Sequence, residues 1–141
     1  MTARRMLAAA LIAIAATACN DDSPTEPSVS LGGAWTGTLT FVTSGVTVTD
    51  SVSTILSQSG SSVTGGWTSL GGTQGQFTLT AAADITGTTT ISQTTITGQP
   101  CTASTSVTGT ATSTRLELSL APVTQTGVCQ WAANQQMVLT R

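Results

Sequence analysis

Histidine, lysine and tyrosine are absent from this 141-residue chain, and charge is scarce, with four basic and six acidic residues making up 7% of it. An ordinary soluble domain carries about a quarter charged residues. Each absence excludes a class of chemistry. Without histidine there is no Ser–His–Asp or Cys–His couple, and no imidazole to hold a metal or act as a general base. Two of the four arginines, Arg4 and Arg5, stand in the first five positions, so the body of the chain lacks the basic footprint of a nucleic-acid binder. What is abundant is hydroxyl: 31 threonines and 16 serines, one third of the sequence.

The N-terminus reads as an export signal rather than as part of a fold. Arg4 and Arg5 give a positive start, and Leu7–Ala16 is an uncharged run rich in Ala, Leu and Ile. That run makes about 15 Å of helix, half of a roughly 30 Å hydrocarbon core, too short to remain as a membrane span. It ends in Ala16-Thr17-Ala18-Cys19, which has two readings. As Ala-x-Ala it suits an ordinary signal peptidase, whose narrow pockets take small side chains, and the product is a soluble secreted protein. As small-x-small-Cys it resembles the bacterial lipobox, which implies acylation of Cys19 as the new N-terminus. The polar, acidic, proline-containing stretch Asn20–Ser28 suits an extended tether. Acyl chains add ~0.8 kcal/mol per buried CH₂. The lipobox reading therefore holds the mature protein on a membrane through its lipid, at the outer membrane or another periplasmic or extracellular face. The expected organisation is a signal peptide over 1–18, an acylated cysteine and tether over 19–30, and one domain over 31–141.

Three cysteines are an odd number for an exported chain. Assigning Cys19 to lipid leaves Cys101 and Cys129 as a disulfide pair in an oxidising compartment, the alternative being two buried free thiols.

Residues 31–141 read as all-β. Helical stripes are missing, β-branched residues are everywhere, and apolar residues alternate with period 2. Trp35, Gly37, Leu39 and Phe41 share one face; so do Val63, Gly65 and Trp67; Gly75, Phe77, Leu79 and Ala81; and Leu116, Leu118 and Leu120. An apolar residue followed by Thr-Gly recurs at Trp35-Thr36-Gly37, Val63-Thr64-Gly65, Ile85-Thr86-Gly87, Ile96-Thr97-Gly98 and Val107-Thr108-Gly109. Eight strands are expected near 33–43, 46–58, 62–69, 73–83, 86–96, 101–113, 115–123 and 128–140. Consecutive hairpins make a meander, and closing it into a small up-and-down barrel removes exposed edges. A β-sandwich is the alternative.

Gly33-Ala34-Trp35 resembles the Gly-x-Trp signature of the calycins, the lipocalin, fatty-acid-binding and avidin group. The strand-turn-strand unit Ile55–Trp67 is similar to that of small calycin-like bacterial lipoproteins. The resemblance implies a barrel with Trp35 closing one end and Arg141 packed across its indole, with Arg115 the lesser candidate. It implies no particular ligand; avidin's biotin contacts include a tyrosine, which this chain lacks.

Trp67, Phe77 and Trp131 are the candidate ligand-lining side chains, the competing reading being plain core. Small residues at Gly65, Gly75, Ala81 and Gly109 on inner faces predict some space inside. Asp50 and Asp84 do not read as a glycosidase pair, since Asp84 stands at a turn where Asp bonds its own backbone. Arg115 and Glu117 read as a surface ion pair. No Gly-x-Ser-x-Gly elbow and no calcium loop occur, so neither an enzyme, a metal nor a cofactor is expected. Two functions are carried forward: a lipid-anchored barrel holding a small apolar or amphiphilic ligand, and an interaction lipoprotein with a filled barrel. Oligomeric state is left open.

Overall fold

The computed structural model describes residues 29–95, 97–124 and 128–141. The signal segment, Cys19 and the tether lie outside these residues. Eight strands follow one another: β1 (Gly33–Thr43), β2 (Val46–Ser59), β3 (Ser62–Ser69), β4 (Gln74–Ala81), β5 (Ile85–Thr94), β6 (Pro100–Ala111), β7 (Arg115–Leu120) and β8 (Ala133–Thr140). Each pairs antiparallel with the next, and β8 returns to pair with β1, closing an eight-stranded barrel. Among the described residues every strand edge is paired and the buried side chains form one cluster, so the barrel is closed on itself as a folding unit.

The alternation read from the sequence decides which face each residue takes. Gln74–Ala81 and Arg115–Leu120 switch strictly between exposed and buried, with Phe77, Leu79, Leu116 and Leu118 inside. Threonine and serine cover the outside, where cross-strand hydroxyls meet at Thr40–Thr49 (3.3 Å), Ser53–Thr68 (3.4 Å) and Ser92–Thr102 (3.2 Å). This is the inverse of a lipid-spanning barrel, whose outward band must be apolar.

The last two strands are shorter than expected. β7 stops at Leu120 rather than 123, and β8 starts at Ala133 rather than 128. Pro122 has no N–H to give a ladder. Cys129 is drawn away by its disulfide to Cys101 and keeps only an isolated bridge.

The inner glycines leave no room for a side chain at their own positions. A Cβ on Gly37, Gly65, Gly75, Gly87 or Gly109 would come within 1.9 to 2.2 Å of a carbonyl oxygen on the neighbouring strand. Each of the five is flanked on both sides by large inward residues, as Gly75 is by Trp67 and Ile91, and Gly109 by Ile85 and Leu118. The wall bends where side chains are missing, and its own backbone fills the gap. Four of the five apolar-Thr-Gly copies fall here, each turning its apolar residue inward and its threonine outward. Ala81 is likewise buried in the core.

The β1–β2 hairpin turns through Ser44 (φ 49°) and Gly45 (φ 76°), both left-handed, as a two-residue type I′ turn requires. Serine is unfavourable there. Ser44→Asn, which creates Asn-Gly, is expected to stabilise the fold by about 0.5–1 kcal/mol. The check is a higher urea midpoint at unchanged slope.

Candidate functional site

The barrel has two unlike ends. One is bounded by the β2–β3, β4–β5 and β6–β7 connections and by the segment entering β1. Leu31 is fully buried there and accepts a 2.8 Å hydrogen bond from Trp35 Nε1 through its carbonyl. Gln58 receives the Leu31 N–H and donates to Val29 O. The Arg141 guanidinium lies 4.5 Å from the Trp35 ring centroid and donates to Gly32 O (2.8 Å) and Ser30 O (2.6 Å). Arg115 instead pairs with Glu117 on the exposed wall, an interaction worth ~0–1 kcal/mol.

The interior between the ends is lined by large buried side chains. Trp67 and Phe77 stack with centroids 6.0 Å apart, and Trp67 Nε1 donates to Thr89 Oγ1 at 3.0 Å. The inward threonines are consumed locally: Thr54 donates to Gly66 O, Thr89 to Thr90 O, and Thr105 to Ala121 O. Gln135 donates to Ala132 O. Among the described residues, no buried side-chain N or O lacks a partner.

The other end is the mouth, ringed by the β1–β2, β3–β4, β5–β6 and β7–β8 connections. The Cys101–Cys129 disulfide, with Cα atoms 5.6 Å apart, ties the β7–β8 crossover to the start of β6. Two residues further on, Trp131 lines a cleft of about 460 Å³ with Val42, Thr43, Ser44, Gly45, Gln130 and Ala133. A bulge shapes this wall. Thr40 faces Gln136 but Val42 faces Ala133, so one residue of β1 opposes two of β8. Asn134 absorbs the irregularity at φ 52°, and Gln135 is turned inward. Other clefts open on the outer wall, one of about 510 Å³ across Thr36, Thr38, Ser51, Ser53, Thr68 and Thr140.

Of the three candidate lining residues, Trp67 and Phe77 come together in the core, with Trp67 also bordering an outer-wall cleft beside Gly66 and Gln76. Trp131 lines the mouth cleft, which neither of the others borders. Residue reading missed Gln58, the Asn134 bulge and the Ser44–Gly45 side of that cleft. The Ser-Gly dipeptide was the available signal for the last; the first two follow from register, which periodicity does not carry.

Among the described residues, no cluster of three or more His, Cys, Asp or Glu is able to hold a metal. Asp50 accepts the Gly71 N–H at 2.7 Å and fastens the β3–β4 turn. Hydrogen bonding from Ser69, aided by Gly71 and Ser51, outweighs burial and holds its carboxyl below the ordinary carboxylate value. A carboxyl lowered in the folded state stabilises above its unfolded pKa, and that contribution is lost as pH falls through the folded value. The melting-temperature gap between the native chain and Asp50→Ala is therefore expected to be open at pH 6 and to close below the normal carboxylate range.

Compared with protein-family models, curated proteins and solved structures, the chain matches none.

Proposed function

We propose that this chain is an exported cell-envelope lipoprotein, acylated at Cys19, whose barrel is a filled scaffold acting through its rim and outer wall. The observation that carries the second half of this reading is the interior. Small and large inward residues alternate across the ladders, and the buried polar side chains bond to their own chain. An amphiphilic ligand inside a barrel is oriented by inward polar groups left free for it. Thr54, Thr89, Thr105 and Gln135 are spent instead on local carbonyls. The first half rests on the positive start, the short apolar run and the small-x-small-Cys ending. The role is interaction rather than catalysis: Asp50 fastens a turn, and Glu117 pairs with Arg115.

The test is native mass spectrometry of protein extracted gently from membranes, with and without reductant. The expected mass is that of residues 19–141 plus acyl groups, rising by two hydrogens on reduction, with no small molecule retained. An unacylated mass in the soluble fraction overturns the anchor. A ligand retained one-to-one overturns the filled scaffold.

A further inference from the structure

Residues 29–32 are held against the end opposite the mouth by side chains rather than by a ladder. Pairing between β1 and β2 begins only at Gly33, which faces Leu56. Upstream of that pair, four consecutive carbonyls each accept a hydrogen bond from a side chain. Gln58 Nε2 donates to Val29 O at 3.3 Å and Arg141 Nη2 to Ser30 O at 2.6 Å. Trp35 Nε1 donates to Leu31 O and Arg141 Nη1 to Gly32 O, both at 2.8 Å. Gln58 Oε1 in turn accepts the Leu31 N–H.

Two of these three side chains are also fixed from elsewhere. Arg141 Nε donates to Ser113 O at 2.7 Å in the β6–β7 connection, and Gln58 Nε2 reaches Gly60 O at 3.1 Å in the β2–β3 connection. The cradle is therefore anchored to the barrel independently of what it holds. Of the segment's own side chains, Leu31 is fully buried, Val29 half-buried and Ser30 exposed. The join to β1 is the pair Gly32-Gly33, with Gly33 at φ 120°.

We propose that the end opposite the mouth is a peptide-recognition site, filled in cis by residues 29–32. The ligand it takes is an extended segment with one aliphatic side chain among small residues. Bonds to successive backbone groups supply affinity, and a single apolar pocket supplies the choice of side chain, as in other sites that hold extended peptides. A segment joined through a short flexible link has an effective concentration of roughly millimolar order, so a free peptide competes poorly while Leu31 is seated. Withdrawal of Leu31 opens the site and frees the preceding chain from the barrel. The site is separate from the rim and outer wall and needs no acyl group, so its failure leaves the reading above standing.

The experiment uses residues 29–141, disulfide intact, carrying Leu31→Ser, which empties the pocket and keeps the cradle. The probe is a fluorescein-labelled synthetic peptide of residues 27–33, followed by fluorescence anisotropy. It is expected to bind the variant saturably and one-to-one, and the native chain at least about tenfold more weakly because the site is filled. A probe with Leu31→Ser is expected to lose at least about tenfold. Adding Arg141→Gln to the variant abolishes binding, whereas adding Arg115→Gln leaves it unchanged. A second readout covers any loss of fold: millimolar probe is expected to raise the urea midpoint of the Leu31→Ser variant but not of the native chain. If there is neither saturable binding nor a midpoint shift, the segment is a plain plug and the proposal is overturned. It is equally overturned by a native chain that binds as tightly as the variant, by a serine probe that binds as well, or by indifference to Arg141→Gln.

Discussion

Gly75→Val is expected to prevent the barrel from forming. A Cβ at this position meets Thr90 O at 2.0 Å and the Trp67 ring at 2.6 Å. Neither neighbour is free to move: Thr90 belongs to the β4–β5 ladder, and Trp67 is pinned by Thr89 and Phe77. Overpacking a core ordinarily costs 1–3 kcal/mol, and a collision with ladder backbone exceeds that, so a loss of at least about 4 kcal/mol is expected. Small domains hold only about 5–10 kcal/mol in total. The variant should therefore be largely unfolded at room temperature, with flat near-ultraviolet circular dichroism. Gly32→Ala is the matched control, because its added Cβ meets nothing nearer than 3.9 Å and should shift the midpoint negligibly. A well-folded Gly75→Val with a native urea midpoint would show that the interior has the space denied to it here.

Opening the disulfide is the second large effect. The bridge joins residues 28 apart, and the chain-entropy model assigns such a loop about 3–4 kcal/mol. Cys101→Ala with Cys129→Ala should lower the urea midpoint accordingly. The loss has a location as well as a size. Cys129 ties down the β7–β8 crossover two residues before Trp131, which lines the mouth cleft. Trp131 fluorescence is therefore expected to shift toward the red in the double variant before global unfolding, while the interior Trp67 keeps its buried spectrum. Identical midpoints with and without reductant would deny the bridge this role.

The barrel was legible because alternation with period 2 states which residues share a face, and eight such stretches separated by turn residues leave few other closures. The apolar-Thr-Gly repeat was visible too, although only as a rhythm. Its meaning is geometric. Glycine at 37, 65, 87 and 109 lies where the neighbouring strand crosses closest, and that neighbour is set by cross-strand register rather than by local sequence. The same limit hid what the inner glycines are for, since open space and tight bends suit glycine equally well. The end of β7 was misplaced because alternation continues weakly past Leu120, while Pro122 and the pull of Cys129 act against it. At the mouth, Trp131 was singled out from its place two residues after Cys129. The bulge beside it depends on Asn134 adopting φ 52°, a conformation that asparagine permits but does not announce.

Seven of the eight ladders join strands adjacent in the chain, and one, between β1 and β8, joins residues as distant as Thr36 and Thr140. Folding speed should therefore be governed by a single seam. The hairpins zip at a small loop-closure cost each, and the β1–β8 contact alone must capture ends separated by the whole chain. Substitutions in that seam, at Leu39 or Met137, which face each other across it, would slow refolding if the seam closes in the transition state. Equivalent losses inside β4 or β5 would chiefly hasten unfolding. One closure thus sets how long this barrel spends with open edges.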